Sequence, residues 1–248
     1  MRLTVLGCSG TFPGPASPCS GYLVEHDGYR LVLDLGAGAL GALQRHGDVL
    51  DVDAVYVSHL HTDHCIDLVA YSYARRYHPL GLPPRLPVYG PVGTRERLCA
   101  AFEQPPVGGL VDVYDFHEVG PGRHELGPFT VTTAVTHHPV EAHAIRLEAG
   151  GRTLVYSADT AASDAVVDLA RGCDLFLCEA SWLSVPEPPP GIHLTGREAG
   201  EHAARAGVGR LLLTHLMPFA DPQAVLAEAR ETWDGPLELA ACDAVHDV

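Results

Sequence analysis

Short apolar runs alternate along the chain with longer segments in which apolar residues recur every three or four positions. The short runs are rich in Val, Leu, Ile, Phe and Tyr and are bounded by Gly, Pro or Asp, which predicts strands. Twelve segments fit this description: Arg2–Gly7, Gly21–Glu25, Arg30–Leu35, Ala54–Ser58, Pro87–Tyr89, Val111–Phe116, Phe129–Val135, Ala144–Glu148, Thr153–Ser157, Leu175–Cys178, Leu211–Thr214 and Leu237–Ala241. The helical spacing predicts six helices: Ala39–His46, Cys65–His78, Thr94–Glu103, Ser163–Arg171, Thr195–Ala206 and Pro222–Trp233.

The order of these elements predicts the fold class. Turn signals at His26–Gly28 and Ala149–Gly151 join two pairs of strands into hairpins. Helices occur in both halves of the chain, but they do not alternate one for one with strands, as a doubly wound sheet requires. Two sheets packed face to face with helices outside fit better. The proline-rich segments Leu82–Pro91 and Pro186–Gly191 are typical of loops rather than linkers, so we expect residues 1–248 to form one domain.

Composition narrows the class of protein. The chain of 248 residues is 46% hydrophobic and 19% charged, as in an ordinary globular protein with a substantial core. It has no uncharged apolar run of about 18 residues, and its first residues lead directly into a strand, so we expect a cytoplasmic protein with no membrane partner. The net charge of -15 disfavours non-specific binding to a nucleic-acid backbone. Seven cysteines without a C-x-x-C pair do not predict a disulfide framework.

A cluster of polar side chains follows the apolar run Asp53–Val57: His59, His61, Asp63 and His64. Buried imidazoles and carboxylates each need a polar partner, and exposed ones add nothing to a core, so such a cluster is costly without a function. Imidazole nitrogens and carboxylate oxygens are ligands that suit zinc, with manganese and iron(II) as alternatives. In a turn that leaves a strand, His59 and His61 can converge on one ion while Asp63 and His64 face a second.

Ligands for two metal ions must also come from elsewhere in the chain, because one short segment cannot close two sites. Candidates follow three other predicted strands: the His137–His138 step, Asp159 and His215. Loops at strand ends are where a rigid scaffold presents chemistry. The repeated placement predicts a dinuclear metal site, and the residues alone leave open whether His137 or His138 takes part.

The order HxHxDH, His, Asp, His resembles that of the metallo-β-lactamase superfamily, and the flanking sequence most resembles its ribonuclease-Z-like phosphodiesterase branch. The resemblance runs nearly end to end, through Leu6–Gly10, Leu33–Gly36, Ser58–Asp67 and Thr214–His215. It implies an α/β fold, the αβ/βα four-layer sandwich of that superfamily, with two divalent ions, usually zinc, in the groove between the sheet edges. It also implies a homodimer.

Carried over position by position, the resemblance assigns the metal ligands. One ion would be held by His59, His61 and His138, the other by Asp63, His64 and His215, and Asp159 would bridge them. His138 is preferred to His137 because the segment Pro139–Arg146 then keeps the spacing of the family's ligand-to-arginine segment. A register shift of one residue would select His137 instead.

Three residues carry the catalytic expectations. The resemblance places Glu179 and His193 as a hydrogen-bonded pair near the leaving group, with His193 as general acid for the departing alkoxide. Two adjacent ions would share a hydroxide and neutralise the charge on a phosphodiester as it is attacked. Asp63 would orient or deprotonate the attacking water besides binding metal. The expected enzyme is a dinuclear metal-dependent hydrolase, and specifically a phosphodiesterase.

The expected size of the substrate depends on what the sequence lacks. Ribonuclease Z carries a long arm that grips transfer RNA, but only 20 residues separate His138 from Asp159 here, and a hairpin fills them. The segment Met217–Ala220 also replaces the family's phosphate-gripping sequence. Together with the net charge of -15, these differences favour a small-molecule phosphodiester over transfer RNA.

Three segments further resemble actinobacterial ribonuclease-Z-like enzymes that hydrolyse cyclic nucleotides such as cyclic AMP: Tyr71–His78, Phe176–Trp182 and Pro186–His193. We therefore expect 3',5'-cyclic AMP or a related cyclic nucleotide as the substrate. Candidate contacts to its phosphate or base are Arg75, Arg76, Tyr77 and Trp182.

Two other activities remain as alternatives. One is 3'-processing of transfer RNA by a ribonuclease-Z-like endonuclease that lacks the arm, and the other is hydrolysis of a lactone or thioester on the same metal centre. A binding module with a vestigial centre is disfavoured, because all seven ligand types are present.

Overall fold

The computed structural model describes residues 1–103 and 110–248, whose strands form two seven-stranded sheets. The first six strands belong to one sheet: β1 (Arg2–Gly7), β2 (Gly21–His26), β3 (Tyr29–Leu35), β4 (Ala54–Tyr56), β5 (Leu86–Gly90) and β6 (Tyr114–Glu118). The next seven form the second sheet: β7 (Gly122–Leu126), β8 (Phe129–Val135), β9 (His143–Ala149), β10 (Arg152–Tyr156), β11 (Leu175–Glu179), β12 (Leu211–Thr214) and β13 (Leu237–Leu239). The last strand, β14 (Val245–Asp247), returns to pair with β1.

Each sheet has an antiparallel part and a parallel part. In the first sheet β1, β2 and β3 pair antiparallel, and β3 to β6 are parallel. In the second sheet β7 to β10 pair antiparallel, and β10 to β13 are parallel. The two predicted hairpins are present as β2–β3 and β9–β10. Gly28 and Gly151, with φ of 82° and 72°, adopt the left-handed conformation that such tight turns require.

In the described part of the chain, seven α-helices connect the strands: α1 (Ala39–Leu43), α2 (Thr62–Cys65), α3 (Asp67–Arg76), α4 (Thr94–Ala101), α5 (Asp164–Ala170), α6 (Gly196–Ala206) and α7 (Pro222–Arg230). The best defined start is that of α6, where Thr195 accepts from the Glu198 backbone N–H and Glu198 accepts from the Thr195 backbone in a capping box. Within the two described ranges, no helix is long and apolar enough to cross a membrane.

Three layers of apolar side chains separate four layers of backbone. Between the sheets, residues such as Leu3 and Tyr22 meet Phe129 and Ile145, all fully buried. One outer core lies between the first sheet and α1, α3 and α4, and the other lies between the second sheet and α5, α6 and α7. This is the αβ/βα four-layer sandwich that the sequence analysis predicts, with the sheets face to face and the helices outside.

Most predicted elements agree with the observed ones to within about three residues at their ends, and three differences are larger. The predicted helix Cys65–His78 is wrong as one unit: α2 begins earlier, at Thr62, and α3 follows it from Asp67 to Arg76. The predicted strand Val111–Phe116 begins instead as a 3-10 helix at Leu110–Asp112, and the strand β6 runs on to Glu118. The strands β7 and β14 were not predicted. Both are edge strands with a polar composition, so neither shows the apolar alternation that marks a strand.

Candidate metal centre

Loops from both sheets converge on one groove. In the first sheet β4 leads into the loop that carries His59 to His64. In the second sheet β8, β10 and β12 run in the same direction, since two antiparallel steps separate β8 from β10 and parallel pairing continues to β12. Their carboxyl ends therefore lie at the same edge, where they present His138, Asp159 and His215. A backbone hydrogen bond of 3.1 Å from His143 to Ser58 joins the two sheets here.

A first group of ligand atoms comes from His59, His61, His138 and Asp159. The Nδ1 atom of His61 lies 3.1 Å from His59 Nε2 and 3.2 Å from His138 Nε2. The Asp159 Oδ2 atom lies 3.5 Å from His59 Nε2. One atom from each of the four residues lies within 4.8 Å of the others, close enough to hold one metal ion. His137 is exposed and does not belong to this group.

A second group comes from Asp63, His64, His215 and again Asp159. The Nε2 atom of His215 lies 3.2 Å from both His64 Nε2 and Asp63 Oδ2. The Asp159 Oδ1 atom lies 3.3 Å from His64 Nε2 and 3.4 Å from His215 Nε2. Because Asp159 faces one group with Oδ2 and the other with Oδ1, its carboxylate can bridge two ions. The structure thus brings all seven predicted ligands together, and each group draws on both sheets.

The hydrogen bonds of the two groups leave their ligand atoms with unshared electron pairs that can bind cations. His138 Nδ1 donates to the Ile192 carbonyl at 2.9 Å, and His64 Nδ1 donates to Asp34 Oδ2 at 2.8 Å, so in the neutral rings Nε2 carries a lone pair that faces the cluster. Lone pairs about 3 Å apart repel each other unless a cation lies between them. The Asp159 Oδ1 atom is buried and accepts no hydrogen bond from any residue that the structure describes, which is costly for a carboxylate oxygen. The residues therefore fit two divalent ions bound through nitrogen and oxygen.

The electrostatics of the cluster favour the protonation states that bind metal at three of the ligands. Burial disfavours the charged form of Asp159, but the neighbouring imidazoles, His215 first, outweigh it and hold the pKa of that carboxyl well below its usual range. The pKa of Asp63 is lowered in the same way, because hydrogen bonds from His215 and His64 outweigh its burial. Burial, followed by repulsion from His64, holds the pKa of His59 well below its usual value. Ionised carboxylates and a neutral imidazole are the forms that bind a divalent ion. At His64, burial is outweighed by the neighbouring carboxylates, Asp159 first, which hold the pKa of that ring well above its usual value, so a metal ion must displace a proton there.

Asp34 supports the second group from behind, although it is not among the residues predicted from the sequence. It is fully buried. Its Oδ1 accepts from the Ser58 backbone N–H at 2.7 Å, and its Oδ2 accepts from Ser58 Oγ at 2.7 Å, Tyr156 OH at 2.8 Å and His64 Nδ1 at 2.8 Å. Partners of this kind fix the ring orientation and tautomer of a metal-binding histidine. The signal in the sequence was a lone carboxylate inside the apolar run Leu31–Gly36.

Ser181 orients His215 as Asp34 orients His64. Its Oγ lies 2.8 Å from both His215 Nδ1 and Glu179 Oε2. When the hydroxyl donates to the Glu179 carboxylate, its oxygen can accept from His215 Nδ1, which leaves His215 Nε2 for the metal. No pattern in the sequence pointed to this serine.

Glu179 and His193 form the hydrogen-bonded pair that the resemblance implied. His193 Nδ1 donates to Glu179 Oε1 at 2.9 Å, and the same oxygen accepts from the Thr160 backbone N–H at 2.7 Å. Burial opposes a charge on His193, but the Glu179 carboxylate outweighs it and raises the pKa of His193 to about 9. Glu179, His193 and His215 are close enough together to suggest a third metal group. Because the Glu179 oxygens are already satisfied by hydrogen bonds, we assign this group as support for the centre rather than as a metal site.

The His193 ring lies against both ligand groups. Its centroid is 5.5 Å from that of His138 and 5.2 Å from that of His215. With Nδ1 bound to Glu179, the remaining nitrogen, Nε2, is the one that can exchange a proton with a substrate in the groove.

The backbone around the centre is strained. Of the non-glycine residues with positive φ, four lie around the centre: Thr11 (64°), Asp34 (55°), Ala158 (52°) and His215 (57°). Such conformations cost about 1–3 kcal/mol each and persist where the surroundings hold them. Thr11, for example, donates its backbone N–H to Asp63 Oδ2 at 2.9 Å. Close packing adds to the constraint, since a Cβ on Gly36 would lie 1.8 Å from the Asp63 carbonyl oxygen.

Of the four candidate substrate contacts, only Trp182 lies beside this centre, with its ring 5.8 Å from that of His193. Arg75 is 3% exposed and donates to a backbone carbonyl at 2.7 Å, so the expectation that it contacts a substrate phosphate is wrong. Arg76 is paired with an aspartate through bonds of 2.7 and 2.9 Å. Tyr77 is exposed and stacks on Tyr73.

Comparison with known proteins gives consistent matches along the chain. The Beta-lactamase superfamily domain matches residues 29–216. An uncharacterized protein of Mycobacterium tuberculosis (strain H37Rv) is 45% identical over 100% of this chain and 92% of its own length. A probable metallo-hydrolase of Bacillus subtilis, YhfI, is 32% identical over 97% of each chain. A ribonuclease Z of Haloferax volcanii is 29% identical over 95% of this chain and 91% of its own length.

Solved structures agree with these matches. The crystal structure of the metallo-beta-lactamase fold protein YhfI superposes with a TM-score of 0.89 at 31% identity, covering 99% of this chain and 98% of that one. The short form of human tRNase Z superposes with a TM-score of 0.80 at 20% identity, covering 100% and 99%. At 20% identity, the likeness to human tRNase Z shows a shared fold alone.

Proposed function

The chain belongs to the beta-lactamase superfamily of metallo-hydrolases, and from this premise we propose that it hydrolyses a small phosphodiester, with 3',5'-cyclic AMP or a related cyclic nucleotide as the first candidate. One observation carries the proposal: two ligand groups share Asp159 and lie directly beside the His193–Glu179 pair. This arrangement serves a substrate whose central atom carries negative charge and whose leaving oxygen needs a proton.

The metal ions are assigned to residues by the two groups. His59, His61 and His138 would hold one divalent ion, Asp63, His64 and His215 would hold the other, and Asp159 would be shared. We propose zinc, because imidazole nitrogen predominates among the donors. When bound, such ions neutralise charge on a phosphate and make water more acidic.

The chain's own residues supply orientation and a proton. Asp63 is held in place by the Thr11 backbone N–H, and its ionised carboxylate can accept a hydrogen bond from a nucleophilic water. His193 holds a proton at Nε2 for the leaving oxygen, while Glu179 fixes Nδ1 and stabilises the positive charge of the imidazolium. Because Glu179 is fully buried and bound by three donors, the ring cannot rotate without breaking this network.

The protein around the centre supports a small substrate. The hairpin β9–β10 occupies most of the segment between His138 and Asp159, so no long arm extends from it to grip a folded RNA. The net charge of -15 would repel a polyanion more strongly than a cyclic mononucleotide, which carries a single negative charge.

The ribonuclease Z relatives favour a second candidate function. Their likeness of 29% identity spans 95% of this chain, so 3'-processing of precursor transfer RNA is the alternative to test. It would require the acidic surface to bind RNA without the arm, and its rate would fall steeply with salt.

A substrate panel with metal quantification tests the proposal. The zinc-loaded chain is expected to hydrolyse cyclic AMP, cyclic GMP and bis(p-nitrophenyl) phosphate, and to leave precursor transfer RNA and simple lactones intact. Neighbouring histidines give a matched control, since His138→Gln should abolish turnover and lose metal while His137→Gln retains both. Cleavage of transfer RNA alone would favour the second candidate, and turnover of lactones alone would overturn both.

A further inference from the structure

A largely apolar cavity of about 320 Å³ is connected to the His193–Glu179 pair through two of its lining residues, Ser181, which donates to Glu179, and Trp182, which lies beside His193. Trp182 and Phe219 line it together with the segment Val185–Pro189, and Ser181, the partner of His215, also contributes to its wall. The cavity therefore adjoins the metal centre through a residue that already contacts a ligand.

Trp182 connects the cavity to the proton donor. Its indole lies 5.8 Å from the His193 ring, and its backbone is fixed by hydrogen bonds to Leu194 and from Gly196. A group whose leaving oxygen reached His193 would have its next atoms against the indole. Planar aromatic rings are the ligands that stack on such a surface, whatever their hydrogen-bonding pattern.

The rim of the cavity carries large apolar side chains in contact with water. Phe219 is 73% exposed, Val185 is 81% exposed, and Phe12 packs on Phe219 with ring centroids 6.1 Å apart. Exposed apolar surface costs free energy unless a partner covers it. Because Trp182 in the wall of the same cavity lies beside His193, a substrate bound at His193 is a partner that can cover this surface.

A larger cavity of about 570 Å³, which His193 itself lines, is less suitable for an aromatic ring. It is lined by His137 and Arg197 and by the carboxylates of Glu187, Glu198 and Glu201, and it contains no Phe, Tyr or Trp. Such a surface favours hydroxyl groups and water over a stacked ring.

We propose that Trp182 and Phe219 form the nucleobase subsite of this enzyme and select a purine or pyrimidine nucleotide over phosphodiesters without a base. The inference rests on the proposed phosphodiesterase function and adds the specificity-determining residues. The base would lie between the Trp182 indole and the Phe219 ring, and the ribose would lead from it to the groove beside His193.

Fluorescence tests the subsite directly, because the chain has only two tryptophans, Trp182 and Trp233. In the zinc-loaded Trp233→Phe variant, all tryptophan emission comes from Trp182. Saturating 5'-AMP is expected to quench this emission, and ribose 5-phosphate, which has the phosphate without the base, is expected to leave it unchanged. The matched Trp182→Phe variant reports Trp233 and should not respond. Equal responses to both ligands, or none while 5'-AMP inhibits turnover, would overturn the subsite.

Kinetics supply the second readout. Trp182→Leu is expected to raise KM for cyclic AMP about 5- to 150-fold, the range of base–aromatic stacking. We expect little change for a base-free ribose 3,5-cyclic phosphate. Trp233→Leu is the control. A fall in kcat of the same size for both substrates would instead make Trp182 a support for His193 and overturn the proposal.

Phe219→Ser provides a second test if the Trp182 variants fail to fold. The Phe219 ring is mostly exposed, so its replacement should leave folding intact. This variant too is expected to raise KM for cyclic AMP. Conversion of a dimer to a monomer with unchanged KM would show that the patch is a subunit interface and not a base site. A parent chain that hydrolyses no phosphodiester overturns the proposed function itself, whereas an active parent without base selectivity overturns only the subsite.

Discussion

The substitution Asp34→Asn tests whether a residue outside the ligand set controls the metal centre. In the parent, both Asp34 oxygens face hydrogen-bond donors: one at Oδ1 and three at Oδ2. An amide has only one oxygen, so in either orientation its NH2 group would face a donor. The His64 Nδ1 bond would then be lost, or the Ser58 backbone N–H would be left without a partner.

The size of the effect follows from these contacts. A buried donor without a partner costs about 1–3 kcal/mol of unfolding free energy. Loss of the partner of a metal-binding histidine typically weakens metal affinity about 10- to 100-fold, or about 1.4 to 2.8 kcal/mol. The first value is measured by urea unfolding of the metal-free protein, and the second by zinc competition against a chromophoric chelator.

Tyr156→Phe is the matched control. It removes one donor to Asp34 but leaves the carboxylate and its bond to His64 intact. We expect a loss of about 1 kcal/mol in unfolding free energy and nearly unchanged zinc affinity. If Asp34→Asn bound two zinc ions as tightly as the parent, or if Tyr156→Phe weakened zinc binding as much, orientation of His64 by Asp34 would be refuted.

Three further predictions concern proton transfer, packing and pH. His193→Gln should lower kcat about 100- to 10,000-fold, as expected for a general acid. Elemental mass spectrometry should still find two metal ions per chain, and loss of metal would contradict this role. Gly36→Ala should strongly lower the urea concentration at the unfolding midpoint, because its Cβ would overlap the Asp63 carbonyl. Gly41→Ala is the control: its Cβ meets nothing within 4 Å, so the midpoint should stay the same or rise. Equal midpoints for both variants would refute the steric argument. In the metal-free protein, the pKa of His193 is raised from 6.5 to about 9. Its pair with Glu179 therefore contributes stability that is complete below about pH 6.5 and is lost as the pH rises through 9. The unfolding free energies of the parent and His193→Gln should converge over that window, and a constant difference would exclude the ion pair.

Much of the fold could be predicted because most of its strands are rich in buried apolar residues and its helices have apolar residues at helical spacing. Strand β8 matches its predicted bounds, as do β1 and β12. The strands β7 and β14 were missed because pairing at a sheet edge, and not burial, maintains them. The predicted helix Cys65–His78 was placed from apolar spacing, which cannot detect α2, since that turn is made of the polar residues around His64.

The candidate ligands could be located because metal binding requires particular side chains and these follow the ends of strands. The family resemblance then supplied the choice of His138 and the division between two ions. The residues that orient the ligands, Asp34 and Ser181, could not be predicted in this way. Asp34 reaches His64 from the neighbouring strand of the first sheet, and Ser181 reaches His215 from the loop after the neighbouring strand of the second. Contacts between residues so far apart in the chain are not encoded in local spacing. The same limit applies to Arg75. The resemblance of Tyr71–His78 to cyclic-nucleotide enzymes suggested a phosphate contact, but the Arg75 guanidinium is buried against the Pro84 carbonyl.

The order of the ligands along the chain has a consequence for biogenesis. Each metal group needs a loop from the first sheet and a loop from the second, and the ligands extend from position 59 to position 215. A nascent chain on the ribosome therefore exposes the HxHxDH loop long before β12 has been made. We expect the ions to be acquired after synthesis, by a chain whose sheets have already docked, so that the cellular supply of metal determines how much of the finished protein is active.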